Sequence, residues 1–216
     1  MSGTRARLQV RDHVRLAQLG SFLTVSSYTV CFPKLDGQLS EPTKRVDVYR
    51  RDAVAGLLHR VRNDGVHDLF FVRQFRFSTT IDADSGQPDL SRDGMIVELM
   101  AGMKKPAEPW VEAFRRETRE ETGYELADEE FITSFYPSPG ACSEQIHLFY
   151  GRVAVAPGEV DARVGWGADA DEETERLVMS PREFLAQVES GEIRDAKCLA
   201  AAEWMRRDAN RGRFGL

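Results

Sequence analysis

Glu117, Glu120 and Glu121 crowd three carboxylates into one short segment, with Arg116 directly ahead of them. If that segment is helical, spacings of three and four residues send all three side chains to one side of two successive turns. Like charges so placed repel unless positive charge sits among them, and two chemistries supply it. Arg115, Arg116 and Arg119 can pair with the glutamates on a solvated face, each pair being worth about 0.2–0.5 kcal/mol. Alternatively the oxygens hold hard divalent cations, since Mg²⁺ prefers carboxylate and water ligands in octahedral geometry. Arg73 and Arg76, in the apolar run Asp68–Phe77, are the other unusual residues, and the plain reading of each is a charge at the edge of a sheet.

These residues need elements to hold them. The stretch from Pro109 to Thr122 reads as one helix, with Pro109 suited to a first helical position and Gly123 to the left-handed residue past the end. Met95–Met100 reads as a buried strand running into Ala101-Gly102, just ahead of that helix. Upstream, β-branched and aromatic residues mark strands at Phe22–Phe32, Arg45–Tyr49 and Ala53–Arg62; Asn63-Asp64-Gly65 then turns the chain into Asp68–Phe77 as a hairpin. Thr79–Gly94 is a long polar loop. Downstream come a strand at Glu130–Tyr136, a shaped loop with two prolines and a glycine at Pro137–Glu144, and a strand at Gln145–Val155. An irregular, glycine-containing stretch follows and ends in the acidic run Asp169, Asp171, Glu172, Glu173 before a last strand at Thr174–Met179. Ser180, Pro181 and Glu183 then form a capping box that opens a helix to about Ser190.

At 216 residues the chain is long enough for one domain with a substantial core and a small extension. A net charge of −6 speaks against a general nucleic-acid binder, which would show a basic face. No stretch approaches the roughly 18 apolar residues of a membrane span, and the charged start MSGTRARLQVRDHVR lacks a signal-peptide core, so a cytoplasmic protein without membrane partners is expected. Cys31, Cys142 and Cys198 are scattered and lack C-x-x-C spacing, which argues against a disulfide framework and a zinc site.

Read from Gly102, the chain spells G-x5-E-x7-R-E-x-x-E-E-x-G through Gly102, Glu108, Arg116, Glu117, Glu120, Glu121 and Gly123. This resembles the signature of the Nudix hydrolases at every polar and glycine position, with Thr118 standing where the family usually has an aliphatic residue. VRQFRF and YPSPGACSEQIHLF are similar to segments of the subfamily acting on ADP-ribose, GDP-mannose and related nucleotide sugars. The resemblance covers roughly Val46 to Arg207. It implies an α+β fold, the Nudix α/β/α sandwich with a mixed sheet, in residues 46–216, preceded by a β extension in residues 1–45 that serves as a dimerisation arm.

It further implies Mg²⁺, with Mn²⁺ as a substitute, held by Glu117, Glu120, Glu121, the backbone carbonyl of Ala101 and, from a loop, Glu172. Arg76, Ser138, Glu144 and Trp166 would contact substrate, and Arg116 would orient a signature glutamate. The family's E-x-E-D-I pattern falls on Ala170–Thr174, so the usual general base is replaced by Ala170, leaving Asp169, Asp171, Glu172 or a signature glutamate as substitutes. In the terminal helix, Leu199, Ala202 and Met205 would pack on the sheet. The implied reaction is hydrolysis of a nucleoside diphosphate sugar to nucleoside monophosphate and sugar phosphate by a homodimer. Its rivals are a Nudix hydrolase of nucleoside triphosphates or dinucleoside polyphosphates, and a Nudix-like module that senses nucleotides without cutting them.

Overall fold

The computed structural model describes residues 6–20, 22–154 and 174–216. The described chain forms two compact units. One takes the residues up to Asp52 together with Phe135–Gln145, and the other takes those of Ala53–Ser134 and Ile146–Leu216.

The first unit is a three-stranded antiparallel sheet of β1 (Gln9–Leu19), β2 (Leu23–Cys31) and β3 (Thr43–Arg50), in that order. The sequence reading has no strand at β1, because its apolar residues are interleaved with charges and every residue of it is exposed. That is the composition of an edge strand. The loop Phe135–Gln145 docks on β3: the Val48 amide donates to the Ala141 carbonyl at 2.8 Å and the Ser143 hydroxyl to Asp47 at 3.1 Å.

The second unit is built on β4 (Ala53–Val61), β5 (His67–Phe75), β6 (Met95–Glu98), β7 (Met100–Met103), β8 (Glu125–Phe135), β9 (Ile146–Ala154) and β10 (Thr174–Met179). Its sheet runs β10-β5-β4-β9-β8, with β6 paired to β5 and β7 to β4. β4 and β9 are parallel while β4 and β5 form the expected antiparallel hairpin, so the sheet is mixed. β4 is buried from Ala53 to His59, the pattern of a central strand covered on both faces. On one face Val54, Leu58, Phe70, Phe149 and Val153 pack against Ala113 and Phe114 of α1 (Trp110–Thr122). The other face is closed by Phe184 of α2 (Pro181–Ser190) against Phe71, and by Trp204 of α3 (Ala196–Arg206) and Phe214 around Tyr150 and His59. The expected α/β/α sandwich with a mixed sheet is therefore the observed one.

Several details differ from the sequence reading, among them the strand expected at Glu130–Tyr136, which begins earlier as β8 at Glu125 and ends at Phe135. Met95–Met100 is two short strands that break at Leu99 and change partner, β6 lying on β5 and β7 on β4. Pro109 is the N-cap of α1, with extended backbone, and Trp110 is the first helical residue. In α3, Ala202 and Met205 are buried but Leu199 is 44% exposed, the inner stripe being completed by Cys198 and Ala201 instead. α2 opens as the capping box requires, the Ser180 hydroxyl accepting from the Glu183 amide at 3.2 Å. No helix among the described residues is long and apolar enough to cross a membrane.

Candidate active site

α1 is pinned to the sheet by Ala113 and Phe114, both fully buried, and that fixes which way its acids point. One turn further on, Glu117 lies on the same inward stripe and is only 8% exposed, facing β7 at Gly102. A Cβ added at Gly102 would fall onto the Glu117 carboxylate, so this strand position admits the acid only because it lacks a side chain. Thr118 is fully buried, its hydroxyl satisfied by the Phe114 carbonyl at 2.8 Å, which is how a polar residue occupies the usual aliphatic position. The helix stops at Gly123, whose φ of 72° lies in the left-handed region and whose amide returns to the Arg119 carbonyl.

Arg116 is the hub of the cluster. Its Nε and one terminal nitrogen grip Glu108 at 2.8 and 3.0 Å, and the other terminal nitrogen reaches Glu117 at 2.6 Å and Glu120 at 2.8 Å. It also donates to the Met103 carbonyl at 3.1 Å. Arg115 and Arg119 are hydrogen-bonded elsewhere: the former pairs with Glu112 and Glu129, the latter with Glu125. Of the three arginines, Arg116 is the one hydrogen-bonded to Glu117 and Glu120. The hydrogen bonds from Arg116, with that from the Lys105 amide, draw the Glu108 carboxyl down to about 2. Burial pushes Glu117 the other way, above the ordinary carboxylate range, and the charges of Glu120 and Glu108 add to the rise while Arg116 opposes it. Arg116 itself is raised by all three partners, Glu108 first. The directions agree physically: one guanidinium divided among three acids cannot fully compensate the most buried of them.

Among the described residues no group of three or more acidic, histidine or cysteine side chains is gathered to hold a metal ion, Arg116 lying between Glu117 and Glu120. The donor chemistry nevertheless fits a hard divalent cation: every candidate is a carboxylate oxygen or backbone carbonyl, and the Gly102 cradle brings Glu117 against the strand that carries Ala101. Glu121 is half-buried at the end of the same helix.

Arg76 follows β5 and opens a short 3-10 turn at Phe77–Thr80. Its Nε donates to Glu98 at 2.8 Å, and that acid also accepts from Gln74 at 2.9 Å and Lys197 at 3.1 Å. The sequence reading leaves Glu98 without a role and does not single out Lys197 or Asp195. Asp195 was legible as an N-cap, and its carboxylate does accept from the Cys198 amide at 3.1 Å. A lysine meeting a glutamate 99 positions away carries no local signal. Arg73 pairs with Glu175 across the β5–β10 edge and lines a cavity of about 620 Å³ together with Thr79, Arg92 and Arg194.

Ser138 and Glu144 lie in the other compact unit. The Ser138 carbonyl accepts from Ala141 and Cys142, closing the loop's turn, and Glu144 is buried with Arg50 at 3.7 Å. Trp166, Ala170 and Glu172 are outside the described residues. His147, in β9, packs against Trp110, the ring centroids 3.6 Å apart and stacked.

Helices lie on both faces of a mixed sheet, and an acid-lined helix is seated on a glycine of the adjoining strand. The NUDIX domain model matches residues 49–202, and the chain belongs to the Nudix family. It is 31% identical to a GDP-mannose pyrophosphatase of Salmonella paratyphi B over 185 residues, 86% of this chain and 88% of that one. It is 34% identical to the GDP-mannose pyrophosphatase of Cronobacter sakazakii over 177 residues, 82% and 84% of the two chains. The family resemblance read from the Gly102–Gly123 motif is thereby borne out.

Proposed function

We propose that this chain is a Mg²⁺-dependent pyrophosphatase that cuts the diphosphate of a nucleoside diphosphate sugar such as GDP-mannose or ADP-ribose, releasing nucleoside monophosphate and sugar phosphate. The observation that carries the reading is the α1 cluster, in which Glu117 is held half-compensated against Gly102 while Arg116 gathers Glu108, Glu117 and Glu120. The similarity to GDP-mannose pyrophosphatases over more than four fifths of the chain supports the substrate class.

In this reading Glu117, Glu120, Glu121 and the Ala101 carbonyl hold the cation, with Glu172 as a further ligand. When bound, Mg²⁺ supplies neutralisation of the diphosphate's negative charge, which this chemistry requires more than covalent participation. The chain's own residues do the rest. Arg116 keeps the α1 carboxylates spaced and oriented through its hydrogen bonds. Arg76 offers its terminal nitrogens to the diphosphate while its Nε stays on Glu98. Water attacks phosphorus, the bridging P–O bond breaks, and the proton of the water goes to an acid of the chain.

The protein acts in this reading as a cytoplasmic homodimer, with residues 1–45 as the dimerisation arm. The test is incubation with GDP-mannose, ADP-ribose, UDP-glucose and a dinucleoside polyphosphate in Mg²⁺, with products separated by chromatography. Turnover of a nucleotide sugar to monophosphate and sugar phosphate is expected; no turnover of any of them refutes the proposal.

A further inference from the structure

Glu98 is only 6% exposed, yet it sits between two cations from distant parts of the chain. Lys197 holds Oε1 at 3.1 Å, and Arg76 and Gln74 hold Oε2 at 2.8 and 2.9 Å. With both oxygens engaged on different sides, the carboxylate cannot turn without losing a partner. Lys197 is fixed in turn by Asp195 at 2.7 Å, and the other oxygen of Asp195 caps α3. α3 is a firm base, because Cys198, Ala201, Ala202 and Met205 are fully buried beneath it. Burial alone would raise the Glu98 carboxyl; Lys197 and Arg76 outweigh it and leave the acid ionised.

A buried ion pair of this kind is close to break-even for stability, so direction is what the arrangement contributes. Arg76 spends only its Nε on Glu98 and is otherwise 39% exposed, its terminal nitrogens making no hydrogen bond to the described residues. A guanidinium anchored by Nε alone keeps its terminal nitrogens for two oxygens of one ligand.

We propose that Lys197 is a positioning residue for the reaction, acting from the start of α3 through Glu98 to aim the Arg76 guanidinium at the substrate diphosphate. The kinetic part rests on the pyrophosphatase reading; the geometric part does not. Lys197 touches no substrate, and replacing it frees Glu98 to swing and Arg76 to follow.

Two measurements test it. In ¹⁵N-labelled protein without substrate, the Arg76 Nε–H signal is protected from exchange in the wild type and in Lys197→Arg, and exposed in Lys197→Met. In kinetics on a nucleotide sugar, Lys197→Met lowers kcat/KM by roughly 10–100-fold, the cost of a misplaced positioning group, and Lys197→Arg recovers most of it. Added to Arg76→Ala, the same change costs less than about twofold further, because the residue it acts through is gone. A merely structural lysine would cost equally in both backgrounds, and that result overturns the proposal. So does a freely exchanging Arg76 Nε–H in the wild type, which needs no variant to fold. Absence of any nucleotide-sugar turnover by the wild type refutes the functional reading instead, and the exchange measurement then decides the relay by itself.

Discussion

Replacing Arg116 by Met removes one guanidinium and leaves three acids facing one another. Arg116, Glu117 and Glu108 have side chains only 17%, 11% and 15% exposed, so their charges are poorly screened, whereas Glu120, at 47%, relaxes into solvent. Breaking a buried ion pair by removing one partner costs about 3–5 kcal/mol, and the partial exposure of this cluster places it at the lower end, about 3 kcal/mol. For a chain of this size, at about 2–4 °C per kcal/mol, the melting temperature falls by roughly 6–12 °C in metal-free buffer. A divalent cation can then take the place that the guanidinium held beside Glu117 and Glu120. At about a hundred times its dissociation constant, a ligand that binds only the folded state stabilises by about 2.7 kcal/mol, so saturating Mg²⁺ restores most of the loss. In the wild type Arg116 already compensates part of this negative charge, so the ion's effect is smaller. The assay is a thermal melt of wild type, Arg116→Met and Arg116→Lys with chelator and over a Mg²⁺ series, the lysine falling between the other two because it lacks the fork. A methionine variant that melts within 2 °C of wild type without metal (a difference of about 1 kcal/mol or less), or a Mg²⁺ shift equal in both, refutes the reasoning.

Three other outcomes follow from the same contacts. Gly102→Ala puts a methyl group where the Glu117 carboxylate lies, so it costs about 1–3 kcal/mol of stability and at least tenfold in turnover, read by a melt and a rate; a fully active variant would remove Glu117 from that position. Glu121→Gln keeps the fold by circular dichroism but loses most nucleotide-sugar turnover, and unchanged activity would take Glu121 out of the ligand set. His59, 1% exposed, is lowered from 6.5 to about 4, chiefly by burial and then by the charge of His67. Between those values the unfolded chain binds a proton that folded His59 refuses, so its contribution is complete above about pH 6.5 and is lost as pH falls toward 4. At about 1.4 kcal/mol per tenfold that is a few kcal/mol, seen as a urea midpoint that drops on acidification in wild type and drops less in His59→Gln; equal slopes would show that His59 is not the group responsible.

What the sequence made legible is what local rules govern. The end of α1 at Gly123, the hairpin at Asn63-Asp64-Gly65, the strand at Thr174–Met179 and the cap at Ser180 all follow from residue types within a turn or two of one another. The acidic helix was readable because helical spacing alone puts Glu117 and Glu120 on one side. Which arginine would serve them was not, since Arg115, Arg116 and Arg119 are alike in type, and only the docking of α1 on Phe114 turns Arg116 inward to Glu108 and Met103. β1 escaped because an exposed strand buries no face and so leaves no alternation to read. The break at Leu99 escaped for the opposite reason: a segment that pairs first with β5 and then with β4 reads as one run, apolar on both sides of Glu98. The Lys197–Glu98–Arg76 chain depends on α3 returning to the sheet, a tertiary event that no window of neighbouring residues contains.

The break at Leu99 also sets a distance. Glu98, the last residue of β6, holds the guanidinium that follows β5, while Gly102, four residues on in β7, admits the carboxylate of α1. One short span of backbone is therefore a ruler between the arginine and the acid helix. Deleting a single residue between them would shorten the span by about 3.3 Å and turn one of its two ends to the opposite face of the sheet. The length of this stretch cannot change without uncoupling the two halves of the site.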